Sequence, residues 1–258
     1  MSTDRAVLLL RLAGPLQSWG LGSQFNRRET RPEPTKSGIV GLLAAAQGLR
    51  RGEDITDLLR LDLGIRVDQP GSLLRDYHTV SDYRGRPLLS ASVSAKGKQK
   101  PTSPLKYTHV TQRYYLQDAV FVAAVGGPRE LIDALADAVR APAFPLALGR
   151  RSCVPVGPLV IGVRDGDVTG ALESLPWQVS EHMRSRAARR VGATIDLPIT
   201  VDDPNGDDVV QDVPTTFDPL TKTFTTRRVR HGWVSVPTGL PASDDTRDSH
   251  DPFALLGW

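Results

Sequence analysis

Asp118-Ala119-Val120-Phe121-Val122-Ala123-Ala124-Val125 is apolar from its second residue to its last. Gly126-Gly127-Pro128 then breaks it. A run of that length, rich in Val and Phe and stopped by glycine and proline, reads as a strand buried on both faces. Ala6-Val7-Leu8-Leu9-Leu10, near the start of the chain, has the same character, and the spacing predicts a strand from Arg5 to Leu12. Each run leads to a helix. Downstream of the first, Thr35 is an N-cap candidate, and Ile39, Leu42, Leu43, Ala46 and Leu49 recur at helical spacing over 36–49. After the second, Leu131, Ile132, Leu135, Ala138 and Val139 repeat the pattern. A short helical turn is expected over 55–61. Leu63-Gly64-Ile65-Arg66-Val67 alternates like a half-buried strand, and Leu146-Ala147-Leu148 supplies a short fourth one. The order is strand, helix, strand, long insertion, strand, helix, strand. That is an α+β pattern of the ferredoxin-like (RRM-like, split βαβ) type, in which the first and third strands lie at the centre and the second and fourth at the edges.

Ala193–Thr200, Val209–Phe217 and Phe224–Val236 read as further strands separated by Pro, Asp and Gly turns. The expected division is therefore a ferredoxin-like domain over 1–176 and a small antiparallel β-rich region over 177–258. The stretch 243–251 reads as a mobile tail. With 258 residues, 40% of them apolar, the chain has ample material for a packed core. Cys153 is its one cysteine, which excludes an intrachain disulfide and a zinc site of several thiolates. No apolar run reaches the roughly 20 residues that span a bilayer, and the run near the start is too short for a signal-peptide core. A cytoplasmic protein without membrane contact is expected.

The net charge of +3 hides an asymmetry. Residues 75–115 hold eight bases against Asp76 and Asp82, with four of the six lysines of the chain between 96 and 106. All five tyrosines, Tyr77, Tyr83, Tyr107, Tyr114 and Tyr115, lie in the same insertion. Cations contact phosphates and aromatic rings stack on unpaired bases, so the insertion is the candidate nucleic-acid clamp. Chance lysines on a solvated loop, with tyrosines packing in a hairpin, are the competing explanation. The third strand, with Phe121 alone, lacks the two or three aromatics with which RNA-recognition sheets stack bases, so the sheet face is expected to be covered by the C-terminal region instead. Asp202, Asp203, Asp207, Asp208, Asp212 and Asp218 occur with no intervening base and read as a solvated loop, without calcium-loop spacing.

Lys36 and Ser37 open the first helix, where backbone N–H groups favour a phosphate; plain capping explains them as well. Neither Gly20-Leu21-Gly22 nor Thr35-Lys36-Ser37-Gly38 matches a phosphate loop or dinucleotide fingerprint. Arg150 and Arg151 follow the fourth strand and suit a phosphate or a carboxylate. Arg184, Arg186, Arg189 and Arg190 form a second basic cluster of no assigned purpose. The five histidines lack metal-ligand spacing, so no metal and no cofactor is assigned. His78 and His109, with Tyr107 and Lys106, contain the residue types of a metal-independent ribonuclease, and that reading stays open as the alternative. A small acylphosphatase-like enzyme on the same core would need a phosphate-cradling loop that the first turn does not provide.

Five motifs in order resemble the CasD family of CRISPR-associated proteins, the fifth such family, in its type I-E form. They are Leu10-Arg11-Leu12-Ala13-Gly14-Pro15-Leu16-Gln17-Ser18-Trp19-Gly20, Thr35-Lys36-Ser37-Gly38-Ile39-Val40-Gly41-Leu42-Leu43, Asp76-Tyr77-His78-Thr79-Val80, Arg113-Tyr114-Tyr115-Leu116-Gln117-Asp118-Ala119 and Leu148-Gly149-Arg150-Arg151-Ser152-Cys153. The resemblance spans about residues 5–236. It implies a repeat-associated RNA-binding (RAMP-type) protein, with a ferredoxin-like core and a protruding β-hairpin thumb, here about 78–113. It also implies a place at one end of the Cascade complex, holding the 5′ handle of the CRISPR RNA beside the CasC backbone subunit and the CasA large subunit, with target DNA met only through the complex. RNA cleavage in that subtype falls to a separate subunit, so no catalytic residue is assigned. The RNA-binding residues expected from both lines of reasoning are Gln17, Ser18, Trp19, Lys36, Ser37, Tyr77, His78, Lys96, Lys98, Lys106, Tyr107, His109, Arg113, Tyr114, Arg150 and Arg151. For Trp19, stacking on a base and anchoring in the core are both open, the core slightly preferred.

Overall fold

Strands β1 (Arg5–Ala13) and β9 (Val120–Pro128) pair antiparallel along their whole length, from Arg5 opposite Pro128 to Ala13 opposite Val120. Their side chains alternate between two cores. Leu8, Leu10, Leu12, Phe121 and Ala123 face one. Val7, Leu9, Val122 and Ala124 face the other. A strand lined on both sides has no polar positions to spare, which is why these two runs are continuously apolar. The computed structural model describes residues 4–20, 26–81, 88–93, 99–106, 108–187, 192–218, 221 and 223–240, with backbone alone for 81, 88–93, 99–106 and 187.

The molecule is a mixed α/β structure dominated by antiparallel sheet, with few helices. β10 (Val160–Asp165) flanks β1, and β4 (Asp62–Gln69) flanks β9. The fourth strand of the core is therefore Val160–Asp165, not Leu146–Leu148, which is irregular. Leu148 is fully buried all the same, held by exchange of backbone hydrogen bonds with Ser18 and Cys153.

The expectation that β4 is an edge is also corrected. β11 (Thr194–Asp202), β13 (Phe224–Pro237) and β12 (Asp208–Pro214) attach to its free side, giving one seven-stranded sheet in the order β10-β1-β9-β4-β11-β13-β12. The late strands extend the central sheet through β11. Arg66, the residue that made β4 look half-solvated, is 0% exposed. It grips Asp68 through two nitrogens, at 2.7 and 2.9 Å, and donates to the carbonyls of Leu172, Leu175 and Pro176. A charged residue in an alternating strand reads as outward-facing unless its partner is recognised, and here the partner lies two residues away on the same face.

Helices α1 (Lys36–Gln47) and α3 (Arg129–Arg140) cover one face, packing Ile39, Leu43, Ile132 and Leu135 on the sheet. The four-residue α2 (Thr56–Leu59) caps that core with Leu58. α4 (Val168–Ser174) and the segment through Val179 close the other face with Leu172, Leu175 and Trp177. Trp177 Nε1 donates to the Asp68 carbonyl at 2.9 Å. That face is therefore unavailable as a base-stacking platform. α5 (Glu181–Ala187) carries Arg184 and Arg186. No described helix is long and apolar enough to cross a membrane.

The insertion forms an arm. β5 (Ser72–Ser81) and β8 (Thr108–Gln117) pair over ten residues each, and β6 (Leu88–Val93) pairs with β7 (Gln99–Lys106) within the same insertion. The paired arm starts at Ser72, earlier than the 78 expected. At its root β8 also takes β2 (Leu16–Gln17) antiparallel and β3 (Arg27–Arg28) parallel. The tail 243–251 lies outside the described residues.

Candidate nucleic-acid interface

Register decides which arm residues share a face. Side chains alternate along a strand, and directly paired residues project to the same side. Arg75 lies opposite Tyr114 and Tyr77 opposite Gln112, so Arg75, Tyr77 and Tyr114 share one face. Arg27, opposite Gln112 on β3, joins them, with its guanidinium 5.4 Å from the Tyr114 ring centroid. Asp76 lies opposite Arg113, His78 opposite Thr111 and Val80 opposite His109, which places Arg113, His78 and His109 on the reverse face. Arg28, opposite Arg113, joins that side. Tyr77 and His78 are neighbours in sequence but point to opposite sides of the ribbon. Tyr77 is 57% exposed. His78 Nδ1 meets Asp76 Oδ2 at 3.1 Å, so part of the charge on that face is offset within the arm.

The arm root is braced by the turn after Leu148. Arg150 Nη2 donates to the Arg28 carbonyl at 2.8 Å, and its guanidinium lies 4.9 Å from the Tyr115 ring centroid. Its Nη1 is buried without a hydrogen-bond partner among the described residues. Gly149, at φ +86°, is required here, because a Cβ would overlap the Ser18 carbonyl. Arg151 is exposed, while Cys153 is buried, and burial pushes its thiol up.

The loop after β1 and the start of α1 were expected to face a ligand through Gln17, Ser18, Trp19, Lys36 and Ser37. Their side chains are enclosed instead. Gln17 Nε2 donates to the carbonyls of Leu12 and Ala119, and its Oε1 accepts from Trp19 Nε1 at 3.1 Å. Ser18 Oγ donates to the Tyr114 carbonyl. Trp19 is 1% exposed and lies over Gly38, where an added Cβ would come within 2.6 Å of the ring. The glycine of Thr35-Lys36-Ser37-Gly38 is thus the floor of the tryptophan's seat. Of the two readings of Trp19, the anchor is the one the geometry gives. Ser37 Oγ stays within the cap, 3.2 Å from Thr35 Oγ1.

The α1 N-terminus does bind an anion, but the anion is internal. The Lys36 backbone N–H donates to Asp212 Oδ2 at 2.8 Å, and Lys36 Nζ pairs with Asp202 at 2.8 Å. Arg227 completes the cluster, meeting Asp212 at 2.7 and 2.9 Å and Asp202 through Nη1. Burial opposes the Arg227 charge, yet its hydrogen bonds and attraction to Asp212 and then Asp202 outweigh that and raise its pKa. Two aspartates of the 202–218 segment are therefore ion partners between sheet and helix, and the expectation of a solvated loop is corrected for them. Among the described residues no group of three or more metal-ligating side chains converges.

Lys96, Lys98 and Tyr107 lie outside the described residues, and Lys106 is described only by its backbone in β7. Arg27 and Arg28 were missed from sequence. The adjacent arginines in a polar loop are a signal, but their parallel pairing with β8 joins segments about 85 residues apart and leaves no local pattern.

A family model described as "CRISPR-associated protein (Cas_Cas5)" matches residues 7–230. The chain is 36% identical over 176 residues to "CRISPR system Cascade subunit CasD" of Escherichia coli (strain K12), covering 61% of this chain and 71% of that protein. A solved chain of a "CRISPR RNA-guided surveillance complex" superposes with a TM-score of 0.72 at 37% identity, covering 98% of this chain and all of that one. Another, "Crystal structure of Cas protein", gives 0.64 at 35% identity, over 92% and 98%. The match of model, relative and structures across sheet and arm alike places this chain in the CRISPR-associated Cas5 family.

Proposed function

We propose that the chain is a non-catalytic, RNA-binding subunit of a type I-E CRISPR Cascade complex, in which the β5–β8 arm holds the 5′ handle of the CRISPR RNA. The observation that carries it is the arm itself. It is a β5–β8 ribbon joined at its root by β3, with Arg27, Arg75, Tyr77 and Tyr114 on one side and Arg28, Arg113, His78 and His109 on the other. A single strand wrapped across such a ribbon would find cations for its phosphates and an exposed ring for a base. The core is read as ferredoxin-like because the first four sheet positions, β10-β1-β9-β4, follow that order, with α1 and α3 on one face. The role of holder rather than cutter follows the relative named as a Cascade subunit. CasC and CasA are the neighbours this reading assigns, in the cytoplasm.

The test is a titration of the purified chain against labelled CRISPR-repeat RNA and a scrambled control, with chelator present, at two salt concentrations. Salt-sensitive retention of intact repeat RNA in preference to the control is expected. Cleavage at one position leaving a cyclic phosphate would replace this reading with the endoribonuclease, and His78 and His109 would be the first residues to change.

A further inference from the structure

The sheet has an open hollow of about 340 Å³ along β4, β11 and β13, and none of its lining residues belongs to the arm strands. Val67, Pro198, Glu33, Thr200, His231 and Trp233 are among the residues that line it. Trp233 is 70% exposed, against 1% for Trp19 and 7% for Trp177. It lies opposite Pro198 in the β11–β13 register, two residues from His231, which lies opposite Thr200. All four therefore project from the same face of the sheet. The polar wall is fixed in place. Thr200 Oγ1 donates to Glu33 Oε2 at 3.1 Å and stands 3.0 Å from His231 Nδ1, while His231 Nε2 meets Asp208 Oδ2 at 3.3 Å. The backbone N–H of Val209 and then His231 hold the Asp208 carboxyl below the ordinary carboxylate range.

Among the described residues the lining contains a carboxylate and no lysine or arginine. Asp208, which backs His231 from outside the lining, also feels Arg31, but a nucleic-acid strand entering the hollow itself would bring phosphate toward Glu33, so the lining charge argues against RNA. It favours a cation with a flat face. An arginine guanidinium stacks on an indole and offers paired donors to a carboxylate, which can accept about four hydrogen bonds and here is known to accept one from Thr200. Lysine can do the first in part and the second only as a point charge. We propose that the Trp233 hollow is a protein-docking site that seats an arginine of another polypeptide, with the guanidinium between the Trp233 ring and the Glu33 carboxylate. The site is separate from the arm and does not depend on the RNA reading.

The experiment uses the full chain labelled with ¹⁵N, with the indole Nε1–H resonance of Trp233 assigned by its loss in Trp233→Phe. The probe is the peptide Ac-Ala-Arg-Ala-NH2, with versions carrying lysine or uncharged citrulline at the centre, and adenosine and uridine monophosphates as competitors. A saturable shift of the Trp233 resonance with the arginine peptide is expected, at least threefold weaker with lysine and at least tenfold weaker with citrulline. Glu33→Gln, which keeps a group able to accept from Thr200, should weaken arginine binding at least fivefold while leaving the other indole resonances in place. A shift that is linear in peptide, or equal for arginine and citrulline, would overturn the proposal. So would a nucleotide that binds at Trp233 more tightly than the arginine peptide.

Discussion

The start of α1 and the root of the arm both present basic residues beside a loop, and they have opposite fates. At α1, Lys36 and Arg227 are 90% enclosed and neutralised by Asp202 and Asp212, carboxylates that lie more than 160 residues from Lys36 but within 25 of Arg227. At the arm, Arg28 and Arg113 sit side by side on an exposed ribbon, with Asp76 the acid across from Arg113. A basic residue in sequence is a candidate phosphate contact only until its own chain supplies the anion. The helix N-terminus attracted a negative group as its dipole requires, and the group was an aspartate of the same molecule.

That contrast predicts different costs for breaking each side. The largest belongs to the closed cluster. Asp212→Ala leaves the Arg227 charge buried with half its partners and the first N–H of α1 unpaired. Removing one partner of a buried pair costs about 3–5 kcal/mol, so a large fall in the urea midpoint is expected, and a midpoint near that of the parent would show the cluster to be idle. Next comes the seat of Trp19. Gly38→Ala forces a methyl group against the ring, with overpacking of about 1–3 kcal/mol expected from the same denaturation curves. If Gly38→Ala unfolds like the parent, the ring is free to move and the loop is looser than its hydrogen bonds suggest.

On the open side, Arg28→Gln with Arg113→Gln should leave stability within about 0.5 kcal/mol, as surface changes do. The same pair should weaken repeat-RNA binding and lower its salt slope by roughly 0.7 per lost phosphate contact. The smallest effect is at Cys153. With its thiol raised by burial and then modestly opposed by Ser152 and Arg150, alkylation at neutral pH should be slow until denaturant is added. A group whose pKa is higher folded than unfolded stabilises below its unfolded value and loses that contribution above it. The fold should therefore weaken as pH rises above the thiol's ordinary value of 9.0, and Cys153→Ala should remove that part of the decline.

These pairings also mark how far the residues alone could be read. β1, β9, α1 and α3 were legible because their periodicity is local and the burial that causes it acts on every residue. The tyrosine- and base-rich insertion was legible as a unit by composition. The register of the arm was not, since the alternation that separates Tyr77 from His78 becomes a fact about two faces only once β5 has found β8. Val160–Asp165 was missed although Leu159-Val160-Ile161-Gly162-Val163 is a short apolar run, and its part-buried and exposed side chains fit a strand at the edge of the sheet. Asp202 and Asp212 read as solvated because Lys36 lies more than 160 residues away, and Arg227 meets them only once β12 has paired with β13. Gln17 and Ser18 stood out as part of a motif, but their side chains are turned inward, while Trp19 takes the core position that was the preferred of its two readings. Their order serves a hydrogen-bonded turn that holds Trp19 against Gly38.

The most direct test compares the two basic sites in one assay. The salt dependence of repeat-RNA binding is measured for Lys36→Gln and for Arg28→Gln with Arg113→Gln, each confirmed folded by circular dichroism at the assay temperature. The account predicts an unchanged slope for Lys36→Gln and a shallower one for the arm pair. A slope that falls with Lys36→Gln and holds with the arm pair would contradict it, placing the RNA at the α1 N-terminus instead of on the arm.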